Sequence, residues 1–502
     1  MSLISLDIGT SGMRAVIYGQ NGHKGKNAYY EYHSEYPQPG HVEQDPETWK
    51  EAAIYCLSNV SQCFKDIGES PRAITITSQR SSLIPMRDGK PLHNAIMWQD
   101  KRTVPQCEAL IEKYTLDVLY RLTGLRTNPY FVLPKILWLK ENKPEIYNAA
   151  DKFIGVQDYV VHCLTGEYKT DYSQACRTML MNIGTFSWEP ELLSIAGITE
   201  ERLPELLPPG SIAGTITAEF AELTGLDEGI PVIIAGGDQQ NAAVALGVLS
   251  SGRAEANTGT GSFVISALDR PVFDESARVL CQASAIAGQW IMEAGIFNTG
   301  ATYRWFKEQF CDDLVGDDVY NRMNAEAANS TVGSNGVVMI PHFEGSAAPY
   351  WNPYAKGLFF NLSLNTKRGD MIRSIMEGIA VEIHDNISLI EQLTGEIKCV
   401  SVAGGMVRSD LFCNIQSNVY NKDVARYENS EASSLGAAMI ANVTLGIYKD
   451  IEEAYARMIG DNKPMIFEPN AEDVEKSKTI IKRKQKLYKA LKEQKVYELY
   501  SE

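Results

Sequence analysis

The chain has 502 residues, 44% of them apolar and 22% charged, which is ordinary for a globular enzyme and long enough to predict two large domains. A formal net charge of -16 gives a surface that repels phosphate backbones, so a nucleic-acid partner is disfavoured. The nine cysteines and seven histidines form no CxxC or HExxH motif, which indicates neither a disulfide framework nor a zinc site and favours a reducing cytoplasm. The N-terminal residues lack a secretion-signal pattern, and no apolar stretch approaches the roughly 20 residues that cross a bilayer.

The first predicted elements are two strands joined by a glycine-rich turn. Residues 3–8 form an apolar run, Gly9 to Gly12 predict the turn, and residues 14–18 predict a returning strand. Asp45 before Pro46 then predicts a helix N-terminus, because aspartate caps a helix and proline fits its first turn. A buried strand is predicted at residues 73–77.

A similar pattern begins half a chain later. A glycine-rich turn at residues 259–262 precedes a predicted strand at 263–266, and the segments DIGTSGMRAVIY and NTGTGSFVISAL share this order. Two related α/β halves would produce it, although glycine turns between strands are also common connections. Near the C-terminus, residues 474–491 have apolar side chains at helical spacing and lysines elsewhere. This predicts a solvated helix docked on its own domain, with a membrane-surface helix as the alternative.

Two aspartates follow predicted strands. Asp238 comes after the apolar run 232–235 and two glycines, at a strand-to-helix junction where carboxylates can face a ligand; a helix N-cap is the alternative. Asp7 ends the first strand just before the glycine turn, where it could meet a metal-bound phosphate. No GxxxxGK[ST] loop is present, so any nucleotide must use other glycine turns, such as 299–301 and 404–405.

Ordered blocks along nearly the whole chain resemble the FGGY carbohydrate kinases. LDIGTSGMRAVIY is similar to that family's phosphate hairpin, and PGHVEQDPETW and NAIMWQDKRT to its next two blocks. YFVLPKILWLKEN resembles the first family signature, with Lys135, Trp138 and Asn142 in place and Val132 departing from it. GLFFNLSLNTKRGDMIRSIME resembles the second signature, from which Asn361 departs. TDYSQACRTMLMNIGTFSW, IAGGDQQNAA and APYWNPYAKG are most similar to the glycerol kinase branch.

The resemblance implies an α/β fold of two actin-like, ribonuclease-H-like domains of the hexokinase, actin and heat-shock type flanking a cleft. It implies an N-terminal domain over residues 1–247 with the acceptor site, phosphate hairpin and catalytic aspartate. Residues 248–502 would form a C-terminal domain with the nucleotide site, ending in an amphipathic helix. The implied activity is ATP- and Mg2+-dependent phosphorylation of a hydroxyl of a small sugar or polyol. A homodimer is left open.

The resemblance also implies roles for individual residues. Asp238 would be the catalytic base, Asp7 would position Mg2+, and Arg14 would neutralise charge on the phosphoryl group. The residues implied to bind the acceptor are Arg80, Trp98, Asp100, Tyr130, Gln239 and Phe263. The residues implied to bind the nucleotide are Thr10, Ser11, Arg14, Thr260, Gly261, Gly300, Gly404, Gly405 and Met406.

The substrate is the point on which the residues diverge from the glycerol kinase branch. Ser81 stands where glycerol kinases have a glutamate that holds glycerol hydroxyls, and the Met-His-Gly of xylulose kinases is also missing. Asp100 is typical of sugar kinases. We expect Arg80 and Asp100 to face the acceptor together and to favour a four- or five-carbon polyol or ketose. The alternatives are a plain glycerol kinase with Asp100 paired to Lys101 or Arg102, a kinase of a sugar-derived signalling molecule, and a catalytically silent actin-like sensor.

Overall fold

The computed structural model describes residues 2–314, 316, 318–427, 431–460 and 463–500. The chain divides into two compact units, and neither is a single continuous segment. Unit 1 comprises Met1–Leu249, Asp269–Ile291 and Glu431–Asp461; unit 2 comprises Ser250–Leu268, Met292–Ser430 and Asn462–Glu502. The chain first passes from unit 1 to unit 2 after Leu249, close to the predicted boundary at 247/248, and two later segments return to unit 1.

Most strands are short, and the longest of them build the central sheets. In chain order the strands are β1 (Ser2–Ile8), β2 (Gly12–Gly19), β3 (Lys24–Glu31), β4 (Glu43–Gln44), β5 (Ile74–Ser78), β6 (Ile84–Arg87), β7 (Lys90–Pro91), β8 (Ala95–Ile96), β9 (Lys152–Ile154), β10 (Lys169–Asp171), β11 (Met181–Asn182), β12 (Ser187–Trp188), β13 (Glu205–Leu207), β14 (Ile212–Thr215), β15 (Pro231–Gly237), β16 (Arg253–Thr258), β17 (Ser262–Leu268), β18 (Leu280–Ala283), β19 (Trp290–Ile296), β20 (Val338–Ile340), β21 (Leu358–Phe360), β22 (Cys399–Ala403), β23 (Asp423–Arg426) and β24 (Met465–Phe467).

The helices alternate with these strands along much of the chain. In chain order they are α1 (Pro46–Ile67), α2 (Val104–Tyr114), α3 (Leu116–Thr123), α4 (Val132–Asn142), α5 (Pro144–Ala149), α6 (Val156–Thr165), α7 (Tyr172–Ala175), α8 (Pro190–Ala196), α9 (Ala218–Thr224), α10 (Asp238–Ala245), α11 (Gly300–Phe310), α12 (Val319–Ala328), α13 (Arg368–Thr394), α14 (Asp410–Tyr420), α15 (Ala432–Thr444), α16 (Ile451–Ile459) and α17 (Ala471–Glu493).

The main sheet of unit 1 has six strands in the order β14-β15-β5-β1-β2-β3. β1 pairs antiparallel with β2 and parallel with β5, and β5 pairs parallel with β15. These three parallel strands are almost wholly buried, as expected for strands covered on both faces. Because they run in the same direction, their carboxyl ends meet at one edge of the sheet. That edge receives Asp7, Arg80 and Asp238.

The central sheet of unit 2 repeats this arrangement. Its strands β19, β17, β16, β22, β23 and β24 are consecutive neighbours. β16 pairs antiparallel with β17 and parallel with β22, and β22 pairs parallel with β23. The glycine turns that follow β16 and β22 therefore lie at the same sheet edge. The prediction of two related α/β halves is confirmed.

Two predicted helices are also confirmed. α1 begins at Pro46 with Asp45 as its N-cap, and the Asp45 carboxylate accepts a hydrogen bond from the Glu47 N–H at 3.0 Å. α17 buries one face on unit 2, including Lys484, which pairs with Glu382. It is therefore docked on its own domain, as predicted. Over the part of the chain that the structure describes, no helix is both long and apolar enough to span a bilayer.

Candidate active site

Asp238 is the first residue of α10 and follows β15 directly. The N-cap of the helix is Gly237, so the alternative that Asp238 is the N-cap is not the one observed. Its side chain is 25% exposed, and its Oδ1 lies 3.6 Å from Nε of Arg80. The Gln239 N–H donates to the same oxygen at 2.7 Å. A solvent-accessible carboxylate held in this way can accept a proton from a hydroxyl.

Asp7 lies one residue before the end of β1, opposite Arg14 in β2. The pKa of Asp7 is raised to about 7, mainly by burial; the charge of Asp238 adds to this rise, that of Arg14 opposes it, and that of Glu431 adds a smaller increase. Arg14 Nη1 and Lys24 Nζ both contact Oε1 of Glu431, at 2.9 and 2.5 Å. A carboxyl group that is shielded from water and lies near other acids gains from a nearby cation, which stabilises its ionised form. This electrostatic environment and oxygen donor fit Mg2+, which proteins often hold through one or two carboxylates and substrate phosphates.

The turn between β1 and β2 links the two predicted ligand sites. The Gly9 N–H donates to the Gly12 carbonyl at 2.9 Å, which closes the turn and leaves Ser11 exposed. The Thr10 hydroxyl accepts a hydrogen bond from Trp98 Nε1 at 3.0 Å and donates to Gln79 Oε1 at 3.3 Å. A residue predicted to contact phosphate is therefore fixed by an aromatic residue predicted to contact the acceptor.

Three of the predicted acceptor residues of unit 1 are Arg80 and the aromatic pair Trp98 and Tyr130. Arg80 is buried beside Asp238 and donates from Nη1 to Gln282 Oε1 at 3.3 Å. Trp98 and Tyr130 are both half-buried, and their ring centroids are 5.0 Å apart. They are not core aromatics. The pair offers an apolar wall for a carbon backbone.

Gln239, next to Asp238, has a side-chain oxygen without a hydrogen-bond donor among the described residues. Its side-chain Oε1 is buried and has no hydrogen-bond partner among the described residues. Such an atom is costly unless a ligand or water donates to it. An acceptor hydroxyl would supply that donor, so the position fits the predicted ligand.

The position of Asp100 differs from the expectation that it faces the acceptor. Its side chain is fully buried, and its two oxygens accept hydrogen bonds from Arg102, at 2.8 to 3.0 Å, and from the Val42 N–H at 2.6 Å. Arg102 also contacts Glu43 Oε1 at 2.7 Å, so its guanidinium lies between two acids. Both carboxylate oxygens of Asp100 are therefore occupied by protein donors. The alternative pairing with Arg102 is present, although it is buried rather than at the surface.

The predicted nucleotide residues of unit 2 surround a cavity of about 490 Å³. Its lining residues include Thr258, Gly259, Thr260, Gly300, Gly405 and Met406. A Cβ on Gly300 would lie 2.2 Å from the Gly259 carbonyl oxygen, so these two turns can approach only without a side chain. Gly404 has φ +105, and its Cβ would lie 2.2 Å from the Thr258 oxygen. Backbone N–H groups brought together in such turns can bind phosphate oxygens.

The other predicted residues of unit 2 lie nearby or on its sheet. Gly261 follows Thr260 in the turn and approaches the Ile296 carbonyl, which a Cβ would meet at 2.5 Å. Phe263 lies on β17 in unit 2, whereas the other predicted acceptor residues belong to unit 1. Its contact with the acceptor stays a prediction.

The structure adds residues that the sequence did not single out. Ser173 accepts a hydrogen bond from the Gly237 N–H at 2.9 Å and donates to Asp171 at 2.5 Å, which fixes the turn before Asp238. Arg177 stacks on the Tyr130 ring at 4.9 Å. Both residues lie in the block TDYSQACRT, whose polar side chains were a signal that it contributes to the site. Gln282 had no such signal, because it reaches Arg80 from a distant segment.

Comparison with known proteins agrees with this geometry. Residues 2–245 match the FGGY family of carbohydrate kinases, N-terminal domain, and residues 254–445 match the C-terminal domain of the same family. A glycerol kinase from Thermococcus gammatolerans is 34% identical over 460 residues, which are 90% of each chain. Two structures from Lactobacillus acidophilus, a ligand-bound xylulose kinase and a gluconate kinase, each superpose with a TM-score of 0.91 at 25% identity, covering 98% of both chains.

The chain therefore belongs to the FGGY family of carbohydrate kinases. It has the two-domain actin-like, ribonuclease-H-like fold of that family, as predicted. It is an ATP-dependent phosphotransferase that acts on a hydroxyl group of a small sugar or polyol.

Proposed function

We propose that Asp238 is the general base of this phosphoryl transfer. The observation that carries the proposal is its position at the end of β15, partly exposed, with Arg80 at 3.6 Å and Gln239 Oε1 unsatisfied beside it. The acceptor hydroxyl would donate its proton to the Asp238 carboxylate as its oxygen bonds to the γ-phosphorus. Arg80 would orient both the carboxylate and a second acceptor hydroxyl.

We further propose that the chain uses Mg2+ and that Asp7 helps to hold it, through water. Bound with ATP, the cation supplies charge neutralisation at the phosphate oxygens. Asp7 suits this role because burial, and after it the neighbouring acids, raise its pKa, and a cation would stabilise its ionised form. Among the described residues no cluster of three or more potential metal ligands occurs, which fits a metal held largely by phosphates and water.

The proposed division of labour follows the two domains assigned to residues 1–247 and 248–502. The first would carry the acceptor site and the hairpin of Thr10, Ser11 and Arg14. The second would bind the nucleotide through the backbone of its glycine turns, with Met406 along the base or sugar. The turns at Thr260 and Gly300 support this assignment, since both line the cavity of unit 2 and a Cβ on Gly300 would lie 2.2 Å from the Gly259 carbonyl oxygen.

For the acceptor we propose a four- or five-carbon polyol or ketose rather than glycerol. Ser81 brings no carboxylate to the position where glycerol kinases have glutamate, and its Oγ accepts a hydrogen bond from Arg177 Nε at 3.3 Å. Gln239 Oε1 offers an additional acceptor for a hydroxyl. Glycerol is the second candidate, favoured by the 34% identity to a glycerol kinase. We also propose a cytoplasmic enzyme without a nucleic-acid partner, and leave homodimer formation to measurement of its mass in solution.

The test is a coupled ADP-release assay with glycerol, erythritol, xylulose, ribulose and gluconate. We expect ADP release to depend on the acceptor, with a higher kcat/KM for a four- or five-carbon compound than for glycerol. If kcat/KM is highest for glycerol, the enzyme is a glycerol kinase and this proposal is wrong. Failure of every polyol and sugar to stimulate ADP release would favour the silent nucleotide-binding sensor instead.

A further inference from the structure

A buried lysine joins the two halves of the proposed acceptor site. Lys135 lies in the first turn of α4 and is fully buried. Its Nζ donates hydrogen bonds to the Ser81 carbonyl at 2.6 Å and to the Tyr130 carbonyl at 2.7 Å. Ser81 follows Arg80, and Tyr130 is the aromatic wall of the site. Lys135 thus fixes the backbone next to both groups while its own side chain stays out of solvent.

A second buried cation joins the same two residues through different atoms. Arg177 donates from Nε to Ser81 Oγ at 3.3 Å, and its guanidinium lies 4.9 Å from the centroid of the Tyr130 ring. It also stacks on Phe131 at 5.0 Å, and its side chain is buried. The carbonyl and hydroxyl of Ser81, together with the carbonyl and ring of Tyr130, are therefore held by two cations.

The conformation of Ser81 explains why such anchoring is needed. Ser81 has φ 72, in the left-handed region that a residue with a Cβ occupies at a cost of about 1–2 kcal/mol. A residue stays in such a conformation only when its surroundings over-determine it. The turn matters because Arg80, one residue earlier, must point its guanidinium at Asp238. Relaxation of Ser81 to a negative φ would redirect Arg80.

We propose that Lys135 and Arg177 are positioning residues that hold the Ser81 turn and Tyr130 as one rigid acceptor-binding surface. This inference rests on the proposed acceptor site around Arg80 and Asp238. The two cations do not touch the acceptor. They determine its affinity and the choice among acceptors by fixing Arg80 and the Tyr130 ring relative to each other.

The chemistry of a buried amine supports this role. Burial lowers the pKa of Lys135 to about 7, while the nearby Asp100 raises that pKa. A neutral amine keeps two N–H donors, which match the two carbonyls that Lys135 contacts. The anchoring therefore depends on donor geometry and persists when the amine loses its charge.

The test compares Lys135→Met with wild type, using the most active of glycerol, erythritol, xylulose and ribulose as acceptor. Methionine has a similar length and removes both hydrogen bonds. We expect KM for the acceptor to rise, so that its kcat/KM falls by about 100-fold, the scale of an ångström-sized misplacement, while KM for ATP changes less than twofold. The ranking of the four acceptors should also flatten, because Arg80 and Tyr130 no longer hold one geometry.

A matched control is Lys484→Met in unit 2. Lys484 is as buried as Lys135 and pairs with Glu382 and Asp385, so its loss should lower thermal stability without changing acceptor ranking. Should Lys135→Met fail to fold, Arg177→Lys and Ser81→Ala decide by the same criteria. Arg177→Lys keeps the charge but loses the planar stack on Tyr130. Both variants should again raise KM for the acceptor and not for ATP.

The inference is overturned if the folded variants keep wild-type acceptor KM and ranking, or if acceptor and ATP parameters worsen equally. The first result would make the two cations purely structural, and the second would indicate general loosening of the protein. Asp238→Asn separates this outcome from failure of the proposed function. Undiminished turnover in Asp238→Asn would remove the catalytic assignment, whereas unchanged acceptor KM in Lys135→Met would remove only the positioning role.

Discussion

The glycine hairpins β1–β2 and β16–β17 have the same strand pairing, but the side chains near them differ in charge. β1 and β2 in unit 1 form an antiparallel pair whose first strand also pairs parallel with β5, and β16 and β17 in unit 2 do the same with β22. Each turn is closed by a hydrogen bond from the N–H of its first glycine at 2.9 Å, to the Gly12 carbonyl three residues on in unit 1 and to the Gly261 carbonyl two residues on in unit 2. By alignment of the two segments, Asp7 of unit 1 corresponds to Asn257 of unit 2.

This difference shows how the same strand arrangement can present different chemical groups in the two units. At the sheet edge of unit 1 the strands end in charged side chains, namely Asp7, Arg80 and Asp238, which can move a proton and attract a cation. At the equivalent edge of unit 2 the strands end in glycines such as Gly404 and Gly405, which expose backbone N–H groups. The fold supplies the edge, and the side chains placed on it decide the chemistry.

The largest effect is expected from removing the proposed base. Asp238→Asn should lower kcat by about 10²–10⁴-fold, because an amide cannot accept the hydroxyl proton. Folding and ATP binding should persist, since asparagine is nearly isosteric and the nucleotide is assigned to unit 2. Steady-state kinetics with calorimetric ATP titration measures both, and wild-type turnover would rule out Asp238 as the base.

Asp100→Ala should lower the stability of the protein without changing its preference among acceptors, because this carboxylate pairs with protein groups. The variant leaves the buried Arg102 with only Glu43 as an acidic partner among the contacts described above. Breaking a buried pair costs about 3–5 kcal/mol, so chemical denaturation should show a loss of that order. The ratio of kcat/KM for xylulose to kcat/KM for glycerol should stay within twofold of its wild-type value. A selective loss for the larger acceptor would instead support direct contact with Asp100.

Asp7→Asn is expected to weaken Mg2+ dependence and to change the pH dependence of stability. The Mg2+ concentration for half-maximal activity should rise about 10–100-fold, the scale for an outer-sphere ligand. The native pKa near 7 exceeds the ordinary 3.8, so the contribution of Asp7 to stability is present at low pH and is lost as pH rises towards 7. Asparagine mimics the protonated form, so the variant should be more stable than wild type at pH 8.

Thermal unfolding at pH 5 and pH 8 without Mg2+ measures this effect on stability. An equal difference between Asp7→Asn and wild type at both pH values would contradict the raised pKa. Asn257→Asp is the matched variant in unit 2. It should raise KM for ATP by roughly tenfold through repulsion of the phosphates, about 1.4 kcal/mol, without creating Mg2+ dependence.

The smallest effect is expected from Gly405→Ala. Among the described residues nothing lies within 4 Å of a Cβ at this position, so stability should change by less than about 0.5 kcal/mol. KM for ATP should nevertheless rise several-fold if the methyl group enters space used by the nucleotide. Gly404→Ala is the contrast, because its φ of +105 and the Thr258 oxygen at 2.2 Å should make it destabilising as well. An unchanged KM for ATP in a folded Gly405→Ala enzyme would exclude this turn from the nucleotide site.

Local chemistry made the elements around the site predictable. Asp45-Pro46 predicted the start of α1, the glycines after residues 3–8 predicted the first turn, and the run before Gly236 placed Asp238 at a strand-to-helix junction. Each signal lies within a few residues of the feature that it predicts. The same is true of the two hairpin segments, whose shared pattern predicted related halves.

Only the tertiary structure decided which partners from distant segments contact the buried polar side chains. Asp100 was expected to face the acceptor, with pairing to Arg102 as the local alternative; that the side chain is buried and also accepts from the distant Val42 N–H appeared only with the fold. Lys135 was visible only as part of a signature, and its two carbonyl partners appeared with the fold. The sequence determined the family, the strand-and-turn arrangement of the two halves and the position of Asp238 at a strand-to-helix junction, because these depend on local pattern. The direction of buried side chains depends on which surfaces meet during folding, and no short stretch of sequence carries that information.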